Sequence, residues 1–324
     1  MTSTKIEVYQ YLKQFPRIHV KISEEFFDKV KKKISEEYGN LRGYNTILKI
    51  NIQTLRWEFK KNAFHPFYRI LHIIKDVEIT EEELFDNILG FYHWGSHNEC
   101  IKIPRYIEID EFFVEGFSLY LAEGDNGSNG LTRPRKFRFT NSEVSVINRM
   151  IDWTNRYFPE MEKYVNVITP KNGNKINEVD KIKCSNIWFE IDSCNRKVKY
   201  RLCIDRAILI DLVLSLDNII KELCSKDKNL ACAYVRGMMI GEGTVYYNRS
   251  RYVRIEMRNE KEIKYVHRLF LMLGFDCKTS LRTTREDMWS IYIGARQLNK
   301  FYSEIGFGVH EKRQKILTEA IRIR

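Results

Sequence analysis

The stretch that decides the fold is AYVRGMMIGEGTVYY at residues 233–247, and a looser copy, VEGFSLYLAEGDNG, occupies residues 114–127. Superposing Glu123 on Glu242 sets an offset of 119 residues between the copies. At that offset an apolar i, i+3, i+6, i+7 pattern recurs over 144–151 and 263–270, as expected of an amphipathic helix in both copies. The chain therefore contains two related halves, preceded by a region that has no counterpart.

Both halves show the same order of predicted elements: an apolar helix ending in Glu-Gly, two strands, a helix, two more strands and a closing helix. The predicted elements are 112–123, 133–140, 143–157, 163–169, 186–193, 197–204 and 206–223 in the first half, and 231–242, the hairpin 244–258, 260–273, 276–282, 288–293, 295–304 and 309–323 in the second. Residues 170–185 are interpreted as an inserted basic loop, for which a solvated position is favoured over contact with DNA. We therefore predict an α+β fold with domains at 1–110, 111–226 (half 1) and 227–324 (half 2).

The first 110 residues are predicted to be mainly helical, with Ser23 and Thr80 as helix N-caps. Segments 43–49 and 52–61 resemble a helix-turn-helix, whose second helix would offer Gln53, Arg56 and Lys60 to DNA. Any small helical bundle can show this pattern, so DNA binding and a structural role both stay open for this region.

The chain carries 54 Lys+Arg against 43 Asp+Glu, a formal net charge of +11. Such an excess of positive charge favours binding to a polyanionic partner over a merely solvated surface rich in lysine, and nucleic acid is the leading candidate partner.

Seven cysteines without a C-x-x-C pair predict free thiols in a reducing compartment. The sequence shows neither an apolar run of roughly 18 residues nor a signal or transit peptide, so we expect no membrane partner and a cytoplasmic, nucleoid-associated protein.

Small residues recur at i, i+4 in both Glu-Gly helices, as Ser118 and Ala122 in half 1 and as Gly237 and Gly241 in half 2. Such spacing lets two helix backbones approach closely. If the helices pack side by side with the same polarity, Glu123 and Glu242 emerge next to each other. Two adjacent carboxylates repel unless they bind divalent cations, and Mg²⁺ prefers carboxylates together with phosphate oxygens and water.

The strand patterns predict a surface for nucleic acid. In both RKFRFT (135–140) and RYVRIEMR (251–258), apolar residues alternate with charged ones, so one sheet face is apolar and the other is basic and polar. A twisted antiparallel sheet with such a face can follow a DNA groove. The predicted DNA-contacting residues are Arg135, Lys136, Arg138, Arg254, Glu256, Arg258 and Arg282.

At this point the sequence resembles the LAGLIDADG homing endonucleases. Residues 235–243 fit the nine-residue signature, with glycine at the third and last positions and the acidic residue at the eighth. Residues 116–124 fit less closely, because Ser118 stands at the third position. Both copies also lack the acidic sixth residue, having Leu121 and Ile240 there.

The resemblance implies a monomer with two pseudo-symmetric αββαββα halves that form an antiparallel saddle over double-stranded DNA. It implies metal-dependent hydrolysis of both strands, leaving four-base 3′ overhangs. By position, Glu123 and Glu242 would hold Mg²⁺ or another divalent cation such as Mn²⁺, together with Gly124 and Gly243. Lys312 stands where the family places a basic catalytic residue, with Arg313 or Lys315 as substitutes, and half 1 shows no equivalent.

Two other functions fit the same fold. One is an RNA maturase that binds intron RNA, and the other is a DNA-binding regulator with a catalytically silent saddle. Loss of a carboxylate would favour these, whereas Glu123 and Glu242 are both present. The sequence therefore favours an active endonuclease.

Overall fold

The computed structural model describes residues 4–48, 51–59, 64–93, 100–125, 136–171, 178–248, 250–282 and 287–322. The chain divides into two compact units. The paired-half unit comprises Met1–Lys5, Glu108–Asp205 and Leu216–Arg324, and the N-terminal unit comprises Ile6–Ile107 and Arg206–Ser215. The predicted domain boundaries after residues 110 and 226 stay a prediction.

Residues 4–109 are mainly helical, as predicted, but also contain strands that the sequence analysis did not predict. The helices are α1 (Tyr9–Leu12), α2 (Glu24–Tyr38), α3 (Leu41–Leu48), α4 (Ile52–Glu58), α5 (Phe67–Asp76) and α6 (Glu81–Asp86), and the strands are β1 (Thr4–Glu7), β2 (Ile18–Ile22), β3 (His65–Pro66), β4 (Ile88–His93) and β5 (Tyr106–Ile109). β1 pairs with β5, and β2 lies between β3 and β4. The N-caps are confirmed, since Ser23 Oγ accepts from the Phe26 amide and Thr80 Oγ1 from the Glu83 amide.

The two halves contain the predicted alternation of helices and strands. Half 1 has α7 (Glu111–Glu123), β6 (Gly124–Asp125), β7 (Phe137–Asn141), α8 (Val144–Tyr157), β8 (Tyr164–Thr169), β9 (Ile187–Ile191), β10 (Lys199–Ile204), α9 (Ala207–Ser215) and α10 (Asp217–Cys224). Half 2 has α11 (Lys228–Glu242), β11 (Gly243–Tyr246), β12 (Tyr252–Met257), α12 (Glu260–Met272), β13 (Lys278–Leu281), β14 (Trp289–Gly294), α13 (Leu298–Glu304) and α14 (Glu311–Arg322). Short 3-10 turns lie at Val179–Lys181 and Ala295–Gln297. The α+β fold is confirmed.

The sheets repeat the same strand order. Half 1 has the order β6-β7-β10-β8-β9 and half 2 the order β11-β12-β14-β13, so the two agree once β9 is set aside. In both, apolar side chains alternate towards the core, as Phe137 and Phe139 do in β7 and Val253 and Ile255 in β12. This alternation was predicted, and it leaves the intervening polar residues on the opposite face.

The predicted helix 206–223 is in fact two helices, and its first part joins the N-terminal unit. α9 packs against β4 and α1 and is buried from Ala207 to Val213. A helix that is apolar on nearly every side must be covered almost all round, which explains the position of α9 in a core. Within that core, Asp211 Oδ2 lies 3.4 Å from His93 Nε2.

Candidate functional site

The site is built on the packing of α7 against α11, and the small residues permit it as predicted. A Cβ at Gly237 would collide with Ser118 Oγ and with the Glu115 carbonyl oxygen. At Gly241 it would lie 2.6 Å from Ala122 Cβ. At both positions the added Cβ would lie closer to its neighbours than Cβ atoms lie in real proteins. The backbones of α7 and α11 therefore approach each other at a distance that only glycine allows. The predicted close packing of the two helices is confirmed.

A buried ion pair joins the same helices. Glu115 on α7 accepts from Arg149 Nε of α8 at 2.8 Å and lies 3.3 Å from Arg236 Nη1 of α11. Arg236 also donates through Nε to the Ile305 carbonyl at 2.7 Å. A buried carboxylate needs such partners, because an unpaired charge in the interior is strongly destabilising. The sequence analysis missed this network, since no local pattern shows that Glu115 faces two arginines from distant segments.

Gly124 and Gly243 end the two helices in the same way. Each has extended backbone, and its amide donates to the carbonyl oxygen of Tyr120 or Met239, respectively. A Cβ at Gly243 would lie 2.6 Å from Met239 Cε and 2.8 Å from Phe307 Cε1. These glycines are therefore required for space rather than for an unusual φ. They place Glu123 and Glu242 at equivalent helix ends.

Burial and nearby charges raise the pKa of both carboxyl groups. Burial, followed by the negative charge of Glu242, raises the pKa of Glu123 to about 7, against the opposing influence of Arg313 and Lys199. Burial also raises the pKa of Glu242, while Arg313 lowers it and Glu256 raises it. Two half-buried carboxyls at neighbouring helix ends are costly to ionise without a cation.

This donor set fits a divalent metal that completes its shell with other ligands. Among the residues that the structure describes, no group of three or more His, Cys, Asp or Glu side chains could hold a metal ion. Mg²⁺ is usually bound through one or two carboxylates together with waters and substrate phosphates, so a protein cage is not needed. Glu123 and Glu242 could supply those carboxylates, and the carbonyl groups of Gly124 and Gly243 follow directly in the chain.

Arg313, not Lys312, is the cation beside the carboxyl pair. Arg313 Nη1 donates to the last carbonyl groups of α11, at 3.2 Å to Met239, 2.5 Å to Ile240 and 2.9 Å to Gly241. Burial lowers its pKa, whereas the charges of Glu123 and Glu242 raise it. Lys312 is exposed, and its Nζ lies 2.7 Å from Glu143 Oε1. The catalytic role predicted for Lys312 stays a prediction, and Arg313, its predicted substitute, has the closer position.

Half 1 also provides a cation that the sequence analysis missed. Lys199 begins β10, and its charge lowers the pKa of Glu123. The register explains its position, because Gly124 pairs with Phe139 in β7 while Thr140 pairs with Arg201 in β10. The start of β10 therefore lies at the Glu123 end of the sheet. The alternation of residues 199–204 was a usable signal, since it puts Lys199 and Arg201 on one face.

Half 1 presents a basic sheet face, which we call the cationic face and define by Arg138, Thr140, Lys199 and Arg201. Arg138 lies 3.7 Å from Asp125, and Arg201 Nε donates to Thr140 Oγ1 at 3.2 Å. Lys136, also predicted to contact DNA, lies just before β7 with its Nζ 2.6 Å from Asp205 Oδ2. Arg135 lies outside the described residues. The face combines three cations with the hydroxyl group of Thr140, as phosphate and base contacts require.

The corresponding face of half 2 is aromatic as well as charged. Arg254 contacts the Tyr246 hydroxyl, lies over the Tyr246 ring at 4.6 Å and lies 3.0 Å from Glu256. Arg282 Nη1 also pairs with Glu256, at 2.7 Å. Arg254, Glu256 and Arg282 are thus brought together as one network rather than as independent contacts. Arg258 is exposed just after β12.

The residues predicted to contact DNA from the N-terminal region are only partly described. Gln53 and Arg56 lie exposed on α4, and Lys60 lies outside the described residues. Helices α3 and α4 occur close to the predicted positions, while the helix-turn-helix role stays a prediction.

All seven cysteines are free, as predicted. In the described part of the chain, no helix has the length and apolar character needed to span a bilayer.

Comparison with known proteins finds a family model that matches part of half 2. The family model for the LAGLIDADG-like domain matches residues 229–306. No match was found among curated proteins.

Similar solved structures include mesophilic variants of the homing endonuclease I-DmoI, with 14% identity over 60% of this chain and 88% of that chain and a TM-score of 0.42. They also include I-DmoI in complex with DNA and Mn, with 12% identity over 61% and 98% and a TM-score of 0.41. The N-terminal LAGLIDADG domain of DUF199/WhiA shows 14% identity over 66% and 83%, with a TM-score of 0.34. The family model thus supports the predicted LAGLIDADG resemblance for residues 229–306, which include the signature helix of half 2.

Proposed function

We propose that the protein is a site-specific, metal-dependent endonuclease that cuts both strands of duplex DNA and leaves four-base 3′ overhangs. The observation that carries this proposal is the placement of Glu123 and Glu242 at the ends of two closely packed helices, where burial raises the pKa of both carboxyls. Such a pair has little structural value without a cation, whereas it suits phosphodiester hydrolysis across two strands.

The sheet faces supply the means to bind DNA. Two sheets of the same strand order carry the cationic face of half 1 and the Arg254 network of half 2. The first strand of each sheet directly follows one of the two glutamates in the chain. The net charge of +11 favours attraction to the phosphate backbone. Since both carboxylates come from one chain, a monomer contains the whole site. We propose that it acts in the cytoplasm, on nucleoid DNA.

Each group near the carboxyl pair has a role in the proposed reaction. Glu123 and Glu242 would hold a divalent cation, Mg²⁺ or Mn²⁺, which when bound activates water and stabilises charge on the phosphate. Lys199 and Arg313 stabilise the ionised form of Glu123, because their charges lower its pKa. The guanidinium of Arg313 also holds the end of α11, and thereby the position of Glu242.

Arg313 also supports a second candidate, a DNA-binding protein without cleavage activity. Its guanidinium lowers the pKa of both glutamates and so partly neutralises the pair without metal. A permanent counter-ion of this kind could replace the metal and leave a silent saddle that binds DNA as a regulator. An RNA maturase on the same fold is a further outcome, in which intron RNA is the bound partner.

The test begins by selecting duplexes from a randomised DNA library with the wild-type protein in Ca²⁺. The selected duplex is then incubated with Mg²⁺ or EDTA, and both cut ends are sequenced. We expect Mg²⁺-dependent cuts offset by four bases, and we expect Glu242→Gln to abolish them while binding is retained or tighter. The matched control is Glu260→Gln, which changes an exposed glutamate of the same half that pairs with Lys264.

The other outcomes separate the candidates. Equal cleavage by Glu242→Gln and wild type would refute the proposed metal site. Selective binding without cutting would identify the silent regulator. A protein that enriches no duplex but retains structured RNA in a parallel selection would be a maturase.

A further inference from the structure

Half 1 has a sheet one strand wider than that of half 2. β9 pairs in parallel with β8, from Val165 opposite Ile187 to Thr169 opposite Ile191. In the described part of half 2, the equivalent sheet ends at β13, which holds the position of β8. The added strand follows the inserted segment 170–185, and it gives the two halves different outer edges.

The side chains of β9 are unusually exposed for their types. Trp188 is 60% exposed, Phe189 65% and Ile191 74%. Exposed apolar edge strands promote aggregation, and proteins normally cover or charge them. An exposed tryptophan on such a strand therefore indicates a surface that binds something.

The register assigns Trp188 to the cationic face. Trp188 lies opposite Asn166 in β8, and Asn166 lies opposite Arg201 in β10. Residues directly opposite each other in a sheet share a face, so Trp188 continues the row that contains Arg201 and Thr140. Phe189 lies on the other face. Glu190 shares the face of Trp188, and its carboxylate lies 4.0 Å from Arg201 Nη1, so its charge is partly neutralised.

Two contacts orient the Trp188 ring. Its Nε1 donates to Asn186 Oδ1 at 2.7 Å, and its ring centroid lies 5.7 Å from that of Tyr164. The indole N–H is therefore already used, and what remains exposed is apolar ring surface. Such a surface suits a base or a deoxyribose rather than a phosphate, whereas Lys199 and Arg201 on the same face suit the phosphates.

We propose that β9 is a fifth DNA-contacting strand, in which Trp188 packs against a base or deoxyribose at the outer end of the half-site bound by half 1. This rests on the proposed DNA binding and adds an asymmetry to it. One strand spacing is about 4.8 Å and one base-pair step about 3.4 Å, so the added contact covers about one or two base pairs. Continuity with the cationic face and the charge of that face make duplex DNA the occupant.

The experiment compares Trp188→Ala with Phe189→Ala in the full-length protein, using the duplex selected by the wild type. Phe189 is the matched control, because it is similarly exposed on the same strand but lies on the opposite face. We expect Trp188→Ala to weaken binding about tenfold, as loss of an aromatic contact to a base does, while Phe189→Ala stays within about twofold. Trp188→Phe should restore most of the affinity, since a ring is retained.

A second selection with Trp188→Ala gives a readout other than affinity. We expect base preference to disappear at one or two positions at one end of the site only, with the rest unchanged. If Trp188→Ala behaves like Phe189→Ala while the wild type binds DNA, the fifth strand is refuted and the proposed function stands. If the wild type binds no duplex, both fail. If sedimentation shows a wild-type dimer that Trp188→Ala dissociates, the occupant is a second copy and the proposal is wrong.

Discussion

Glu123 titrates close to neutral pH, because burial and the charge of Glu242 raise its pKa to about 7 from an ordinary value of 4.5. Between these two values the folded protein binds more protons than the unfolded chain. The free energy of unfolding of the metal-free protein therefore falls as pH rises through this window. Below an ordinary carboxyl pKa both states are protonated, and this contribution no longer changes with pH.

We accordingly expect the metal-free wild type to lose stability between pH 4.5 and about pH 7, and Glu123→Gln to lose less. Urea unfolding at several pH values checks this, with Glu260→Gln as the control for loss of an exposed carboxylate. Addition of Ca²⁺ should flatten the wild-type profile, because a bound cation favours the ionised carboxyls. The same pH slope in wild type and Glu123→Gln would contradict the assignment.

Arg313 and Lys312 are neighbours in the chain with different expected effects. Arg313→Gln removes the donor to three carbonyl oxygens at the end of α11, so we expect a loss of about 2 kcal/mol in the free energy of unfolding. Lys312→Gln removes only an exposed partner of Glu143, and we expect a change under about 0.5 kcal/mol. Urea denaturation measures both.

The same two variants test which cation assists cleavage. We expect Arg313→Gln to reduce the cleavage rate of the selected duplex more than Lys312→Gln does, since only Arg313 lies beside the carboxyl pair. The opposite order would restore the catalytic role predicted for Lys312 from the sequence.

At the scale of the elements, the contact between α7 and α11 tolerates no added atom at Gly237. In an isolated helix, Gly→Ala is stabilising by roughly 1 kcal/mol. Here we expect Gly237→Ala to lower the free energy of unfolding by about 3 kcal/mol, because the new Cβ would collide with Ser118 and with the α7 backbone. Gly294→Ala is the control, as a Cβ there meets nothing within 4 Å. Calorimetric melting measures the stability of both variants. A Gly237→Ala variant that is more stable than the wild type would contradict the close packing of α7 and α11.

The elements of the two halves were largely predictable, because they repeat. Glu123 and Glu242, the small residues beside them and the alternating strands β7 and β12 all follow local patterns that occur twice. The parts that were missed depend on distant contacts. Lys199 reaches Glu123 only through strand register, and Glu115 meets arginines from two other helices.

The N-terminal region shows a different limit of the sequence. Strands β2 and β4 are short, and they pair with each other across the helices between them. The helical periodicity of that intervening segment dominates the pattern, so the sheet was not predicted. Similarly, residues 207–213, which are apolar except for Asp211, gave no signal that α9 packs with β4 rather than closing half 1.

At the scale of the whole molecule, the net charge of +11 predicts DNA binding that weakens steeply with salt. We expect Lys199→Gln to reduce the slope of log K against log salt by about 0.9, because one phosphate contact is lost. Lys183→Gln is the control, since Lys183 pairs with Asp152 on α8, on the helix side of the sheet. Fluorescence anisotropy titrations at several salt concentrations measure both slopes. Equal slopes in wild type and Lys199→Gln would remove Lys199 from the interface.

The membership of α9 in the N-terminal unit has a consequence for biosynthesis. Residues 6–107 leave the ribosome before Arg206–Ser215, yet the core that they form includes that later segment. At about 5–20 residues per second, that helix follows roughly 5–20 s later. In this interval the nascent N-terminal unit exposes the surface that α9 will cover, and it is open to chaperones and proteases. The N-terminal unit therefore completes its folding only after most of half 1 has been translated.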